Sequence, residues 1–393
     1  MRFSISLRLA VAVCAGALFT LPAAADTVRF AWLELSKDAR YDERQTFFRT
    51  LSRPFGRPVA GAEVAMREAR FVGKALNVEF KLDRFDGADA KELLAHIDRL
   101  HGEGVRFFGV DAPAPVVAAL GKATRGRKLL MFNVSAADDA LRQAQCQSHV
   151  FHTLPNHAMQ TDAMAQFLVL KKWRSILLLE GPRPDDKLLS AAFQASAKRF
   201  GLKIVEKRGF VLSNDPRQRD QGNTGLLTAG ADYEAVFVAD TDGEFARSVP
   251  YRTVLPRPVI GSEGLVAEGW HWAWERHGAP QLTGRMMKQA GRHPSSPDWA
   301  AWIAVKSVVE AVVRTDNAAF DKLVAYLAGD EITIDGFKGN RLGFRPWDRQ
   351  LRQPILIATH NAVIERAPIQ GFLHQTNNMD TLGFDRRDSQ CKF

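Results

Sequence analysis

The sequence predicts an α/β protein of two lobes, each a mostly parallel sheet flanked by helices. Three observations carry this. Apolar, β-branched runs alternate with amphipathic segments along most of the chain, and such alternation buries a parallel sheet between helical layers. Between Phe132 and Leu168 a strand ends in a short polar loop, and a second strand crosses Pro155 into a new helix. The alternation then restarts. The length of 393 residues supplies two cores rather than one.

Taken in order, Val28–Leu33, Leu76–Leu82, Val105–Val110 and Lys128–Val134 read as strands. Between them Leu93, Leu94, Ile97 and Leu100 recur at helical spacing, as do apolar positions within Ala60–Ala75. His149–Thr153 is the strand at the crossover. Helix Asn156–Lys171 follows, with Met159, Ala163, Met164 and Phe167 on one side. Strand Ser175–Leu179, helix Asp186–Phe200 and strands Lys203–Phe210, Ala235–Ala239 and Pro258–Gly261 complete the second alternation. Helix Asp298–Arg314 carries Trp302, Val305, Val309 and Val312 as its apolar stripe, and a further helix covers Ala318–Ala328. A β-rich tail, Leu342–Phe344 and Pro354–Thr359, ends the fold.

Residues 1–25 read as a cleaved signal peptide. Arg2 and Arg8 give a positive start, Leu9–Leu21 is apolar but too short to span a bilayer, and Ala23-Ala24-Ala25 suits a signal peptidase. The formal charge of +9 then falls by those two arginines to +7. Positive and negative residues are interleaved, with no polybasic block of the kind that binds nucleic acid. No second long apolar stretch follows, so the mature chain is not membrane-embedded. Cys14 lies in the leader, which leaves Cys146 and Cys391 as a pair expected to bridge in an oxidising compartment.

The segment FNVSAADDALRQAQCQSHVFHTLPNHAMQTDAMAQFL places Phe151, Thr153, Pro155 and Gln160 in an FRTxPxxxxQ-like pattern. It resembles the domain crossover of type I periplasmic solute-binding proteins, the branched-chain amino-acid class of ABC-transporter receptors. DWAAWIAVKSVVEAV resembles that family's late helix, and FKGNRLGFRPWDRQLRQPILIA its closing hairpin. The resemblance implies three interlobe crossovers, near Leu154, Gln281 and Gly339. Residues 26–154 and 282–338 would then form lobe 1, and 155–281 and 339–393 lobe 2 with the C-terminal hairpin and tail. FVADTDGEFARSVPY, PRPVIGSEGL, WERHGAPQL, RPWDRQLRQPIL and DTLGFDRRDSQC resemble one subgroup, the substrate-binding proteins associated with PQQ-dependent alcohol dehydrogenase systems. One departure is the long connection Glu34–Val59 after the first strand, which reads equally as a short helix, Tyr41–Leu51, on the cleft rim or as a solvated surface insertion.

Ligands of open parallel sheets bind beyond the carboxyl ends of the strands. Glu34 follows the first strand, Asp111 the third, and Ser135 with Asp138 and Asp139 the fourth; in the second lobe Asp240, Asp242 and Glu263 hold equivalent places. Amino-acid receptors of the family hold the ligand's carboxylate with Ser or Thr hydroxyls and backbone N–H groups from the first lobe, and its ammonium with acids from the second. Ser135 and Glu263 keep part of that arrangement. Asp111, Asp138 and Asp139 put negative charge where a carboxylate would dock, so the eight residues are expected to favour a cation. Asp138, Asp240 and Asp242 are the candidate metal ligands. Individually, aspartates at such places also serve as helix caps. Trp270, Trp272 and Trp274 recur at period two, as on one face of an extended segment, and are expected to pack a loop onto its lobe.

There is no G-x-S-x-G elbow, H-E-x-x-H, P-loop or G-x-G-x-x-G. The expectation is therefore not an enzyme, with no cofactor beyond a bound metal cation. It is an exported periplasmic binding protein that captures a small molecule or ion and delivers it to an ABC permease and ATPase. The alternative is a periplasmic sensor, or an accessory of a quinoprotein dehydrogenase.

Overall fold

The computed structural model describes residues 26–45, 51–52 and 56–393; the expected signal peptide, 1–25, lies outside them. The first lobe is built from β1 (Asp26–Leu35), the short β2 (Arg44–Gln45) and β3 (Leu51–Ser52), α1 (Val59–Leu76), β4 (Val78–Gly87), α2 (Ala90–Gly102), β5 (Phe107–Asp111), α3 (Ala114–Ala123), β6 (Leu130–Asn133) and β7 (Val150–His152). Its five-stranded parallel sheet has the order β4-β1-β5-β6-β7. The second lobe follows with α4 (His157–Lys171), β8 (Ser175–Glu180), α5 (Pro184–Arg199), β9 (Lys203–Gly209), α6 (Thr224–Thr228), β10 (Ala235–Ala239) and β11 (Val259–Gly261). Its parallel sheet runs β11-β10-β8-β9. Each sheet therefore reverses its strand order once, between β1 and β5 and between β8 and β10. The two-lobed α/β expectation holds.

The remaining chain serves both lobes. It comprises β12 (Val266–Glu268), α7 (Ala279–Ala290), α8 (Ser296–Thr315), α9 (Phe320–Ala328), β13 (Ile334–Asp335), β14 (Arg341–Phe344), β15 (Leu351–Arg352), β16 (Ile355–Thr359) and β17 (Ala362–Ala367). Trp270, Trp274, Ala279 and Leu282 join the core formed by β1, α1 and α8, whereas Ile355, Ile357 and Ala367 join the core of the second lobe. Helices α1 and α8 touch closely because Gly61 has no Cβ to meet the Asp298 carbonyl. α8 starts from a capping box: Ser295 Oγ donates to Asp298 Oδ2 at 2.7 Å, and that carboxylate accepts from the Ser295 N–H at 2.8 Å.

Buried polar side chains strap the chain where it passes between the lobes. Gln350 Nε2 donates to the carbonyls of His152 and Leu154 at 3.2 and 3.1 Å, and Arg142 Nη2 reaches the Leu154 carbonyl at 3.0 Å. Gln353 Nε2 donates to the Thr153 carbonyl at 2.7 Å, while its Oε1 accepts from Lys338 Nζ at 2.7 Å. Burial holds that lysine well below its ordinary pKa. The expected Cys146–Cys391 bridge is present, with Cα atoms 5.8 Å apart and the cysteines separated by 245 positions.

Two local readings are corrected. The described ends of Tyr41–Leu51 are not helical: Arg44–Gln45 pairs antiparallel with Leu51–Ser52, and residues 46–50 lie outside the described part. The Trp270–Trp274 run is not a strand. It does pack a loop onto the core, since Trp270 stacks on Trp299 and Trp274 Nε1 donates to the Phe337 carbonyl at 3.0 Å. Among the described residues no helix is long and apolar enough to cross a membrane.

Candidate functional site

The point of strand-order reversal in the first sheet is where a ligand would ordinarily enter. Here Glu34 and Asp111 are register partners at the ends of β1 and β5. The chain's own loop after β1 fills this point. Arg40 Nη2 donates to Asp38 Oδ2 at 2.6 Å and to Asp111 Oδ1 at 3.0 Å, Nη1 donates to Ser135 Oγ at 3.0 Å, and Nε donates to Asp38. Tyr41 Oη donates to Asp111 Oδ1 at 2.8 Å. The Arg57 guanidinium lies over the Tyr41 ring, 4.9 Å from its centroid.

The electrostatics of this plug follow from burial. Asp111 is fully buried, and burial raises its pKa despite Arg40 and the hydroxyls of Ser135 and Tyr41. Burial also pushes Asp38 upward, but the hydrogen bonds and charge of Arg40 prevail and hold it below the carboxylate range. Glu34 is tied down separately. It accepts from Trp32 Nε1 at 2.9 Å and pairs with Arg84 at 3.4 Å.

The other predicted acids are drawn into caps and pairs. Asp139 accepts from Asn156 Nδ2 at 2.7 Å and from the Ala158 N–H at 3.0 Å, at the start of α4. Asp240 Oδ2 accepts from the N–H groups of Phe245 and Ala246 at 2.9 and 2.8 Å, capping the turn that follows β10. Burial, with Asp242 and Asp186 nearby, raises its pKa to about 7. Asp242 pairs with Arg183 at 3.0 Å. Asp138 lies at the start of the turn holding Arg142, whose Nη1 takes its main-chain oxygen at 3.1 Å. Among the described residues no three His, Cys, Asp or Glu side chains gather as metal ligands. The carboxylates of Asp138, Asp240 and Asp242, the expected metal set, sit on the loops of two different sheets, and backbone donors and an arginine already engage Asp240 and Asp242.

Of the eight predicted residues, Glu263 alone lines a cavity bordered by the second lobe and by the segment leading into α8. This cavity, about 670 Å³, is bounded by the start of α4, the β11–β12 turn, the segment leading into α8 and the β16–β17 turn. Gly261 makes the wall possible. Its φ of 106° turns the chain at the end of β11, and a Cβ there would strike the Val238 carbonyl.

Four histidines line the cavity, His157, His271, His293 and His360, together with Gln160 and Glu268. Trp272 stacks on His293, with ring centres 4.3 Å apart, and on His271 at 5.7 Å. Burial lowers the His271 pKa. Gln160 Nε2 donates to the Ala267 carbonyl at 3.0 Å, which brings that amide beside Glu268. Burial alone pushes Glu268 up to about 7. A larger groove, about 1030 Å³, runs along α1 and β4, but its lining stops at Arg84, short of the end of β4.

Sequence reasoning missed this histidine set because its members come from four segments with no shared motif. The one available signal was their position beside turns that follow a strand or precede a helix.

Comparison with known families places this geometry. The model of a family described as periplasmic binding protein matches residues 49–248, half of the chain. The chain belongs to the periplasmic binding protein family. Solved structures agree on the fold. A branched-chain amino-acid ABC-transporter ligand-binding protein from Burkholderia xenovorans superposes with a TM-score of 0.70 at 15% identity, covering 93% of this chain and 99% of the other. A leucine-, isoleucine-, valine-, threonine- and alanine-binding protein from Brucella ovis gives 0.70 at 14%, with 94% and 99% covered. A Rhodopseudomonas palustris solute-binding protein in complex with benzoate gives 0.64 at 12%, with 93% and 100% covered. A search of curated protein sequences returned no match. Within this periplasmic binding protein, then, the cavity lined by Glu263 and Glu268 is the candidate ligand site.

Proposed function

We propose that this periplasmic binding protein is the exported solute receptor of an ABC transporter. It captures one small solute in the cavity beside Trp272 and presents it to a membrane permease and its ATPase. The observation that carries the reading is the cavity itself. Its walls come from the second lobe and from His293–Pro297, the segment leading into α8, which packs in the core of the first lobe, so a solute held across them favours the closed arrangement over the open one. The similar structures named for branched-chain amino acids and for benzoate support a small organic solute, and the A-x-A leader supports export. Catalysis is not part of the proposal.

The test is small-angle scattering on protein exposed to a fractionated periplasmic extract, with tryptophan fluorescence followed in parallel. The radius of gyration should contract with one fraction and stay unchanged in Trp272→Ala. Binding without contraction, or no binding at all, would sink the receptor reading.

A second reading, as an accessory of a PQQ-dependent alcohol dehydrogenase, rests on the five subgroup segments quoted from the sequence. It predicts direct association with the dehydrogenase in the absence of any solute, which co-purification under crosslinking measures.

A further inference from the structure

The chemistry of the cavity wall narrows the solute class, on the premise that this cavity is the receptor's solute site. The chain carries 53 Lys and Arg residues, yet among the described residues lining the cavity there is neither. Arg292, next to His293, is turned away and pairs with both oxygens of Asp298 at 2.6 and 2.8 Å. No permanent cation thus faces the cavity to meet a carboxylate.

Hydrogen-bond acceptors, by contrast, stand unused. The Glu268 carboxyl makes no hydrogen bond or ion pair among the described residues. Glu263 accepts only from the N–H of its neighbour Gly264, through Oε1 at 3.2 Å. His157 Nδ1 is buried without a partner. Gln160 engages its Nε2 and leaves Oε1. The buried His157 Nδ1 without a donor is unfavourable, and the half-buried oxygens beside it are free to accept, so a ligand rich in N–H groups suits this wall.

At the strand ends of the first lobe, the described groups that would hold a carboxylate are already engaged. Ser135 and Asp111 are held by Arg40 and Tyr41, and Asp38 and Asp111 add negative charge. Apolar side chains of Met164, Leu189 and Phe237 complete the cavity and suit a hydrocarbon body.

We propose that the cavity binds a primary organic amine, its ammonium held by Glu268 and Glu263, and rejects carboxylates. An ammonium beside Glu268 favours its ionised form, which burial opposes. The N–H bonds matter as much as the charge. Trp272 is already in stacking contact with His271 and His293.

The test is calorimetry at pH 7.5 with benzylamine, benzyl alcohol and benzoate, which share one ring and differ in head group. Benzylamine should bind at least 10-fold tighter than either of the others. Glu268→Gln should remove that advantage while keeping a cooperative melt; Glu263→Gln serves if the first variant fails to fold. Benzoate or benzyl alcohol binding as well as benzylamine, benzylamine binding unchanged in both variants, or no binding by any of the three overturns the amine proposal. A periplasmic solute that contracts the protein in scattering yet carries no amine also overturns it, and leaves the receptor reading standing.

Discussion

Replacing Glu268 by Gln removes a half-buried carboxyl that has no partner among the described residues, and the effect on stability should depend on pH in a defined direction. Burial raises the group from 4.5 to about 7. At roughly 1.4 kcal/mol per pH unit, this corresponds to about 3 kcal/mol. The folded-state value is raised, so between 4.5 and 7 the folded protein holds a proton that the unfolded chain has released. The stabilisation from that proton is complete below pH 4.5 and is lost as pH rises through 7. Glutamine keeps the shape and cannot ionise. Glu268→Gln should therefore match the parent near pH 4.5 and exceed it by about 3 kcal/mol at pH 8. With an unfolding entropy of about 2.1 cal/mol/K per residue, a chain of this length gains about 4 °C in melting temperature. The assay is thermal unfolding of both proteins across pH 4.5–8, after refolding to strip any bound solute. A difference that stays flat with pH, or that favours the parent at pH 8, refutes the half-buried, unpartnered carboxyl.

Arg40→Ala should lower stability by about 3 kcal/mol, because it strands the buried Asp38 and Asp111 carboxylates, and Arg40→Lys should not restore it since lysine cannot serve both acids and Ser135 together; urea midpoints measure both. Cys391→Ser should forfeit up to about 5 kcal/mol of loop-closure stabilisation, and reductant should shift the melting of the parent but not of the variant. Intact mass of the exported protein should begin at Asp26, and a species retaining residues 1–25 would refute cleavage after Ala25.

Most of the fold was legible because its signals are local. Ala235–Ala239 is a continuous apolar run and becomes β10 with the expected bounds, and the periodic stripe of Trp302, Val305, Val309 and Val312 sits in α8. Among the elements that were missed, β12 and β17 are short and only partly buried, so they lack a long apolar signature, and helices α3 and α7 each start with a proline in the first turn and bury only a few side chains. The site was legible as a place, not as a set of roles. Glu263 was found because it follows a strand. Asp240 was misassigned because its partners are the N–H groups of Phe245 and Ala246, and backbone donors leave no mark in a sequence. Asp111 was read as cleft-facing because nothing in the order of residues says that Arg40 folds back onto it.

The close packing of α1 on α8 has a consequence for biogenesis. These helices come from residues 59–76 and 296–315, whereas the second sheet is made wholly from residues 175–261. A chain leaving the membrane amino end first therefore exposes the apolar face of α1 long before its partner arrives, while the later-emerging second lobe can assemble its sheet from contiguous chain. Large sequence separation slows such pairing, and exposed apolar surface invites aggregation in the meantime. The core around α1 thus stays open until α8 arrives, as the second core waits for Ile355, Ile357 and Ala367, and a periplasmic holdase would find a susceptible target on the bare face of α1.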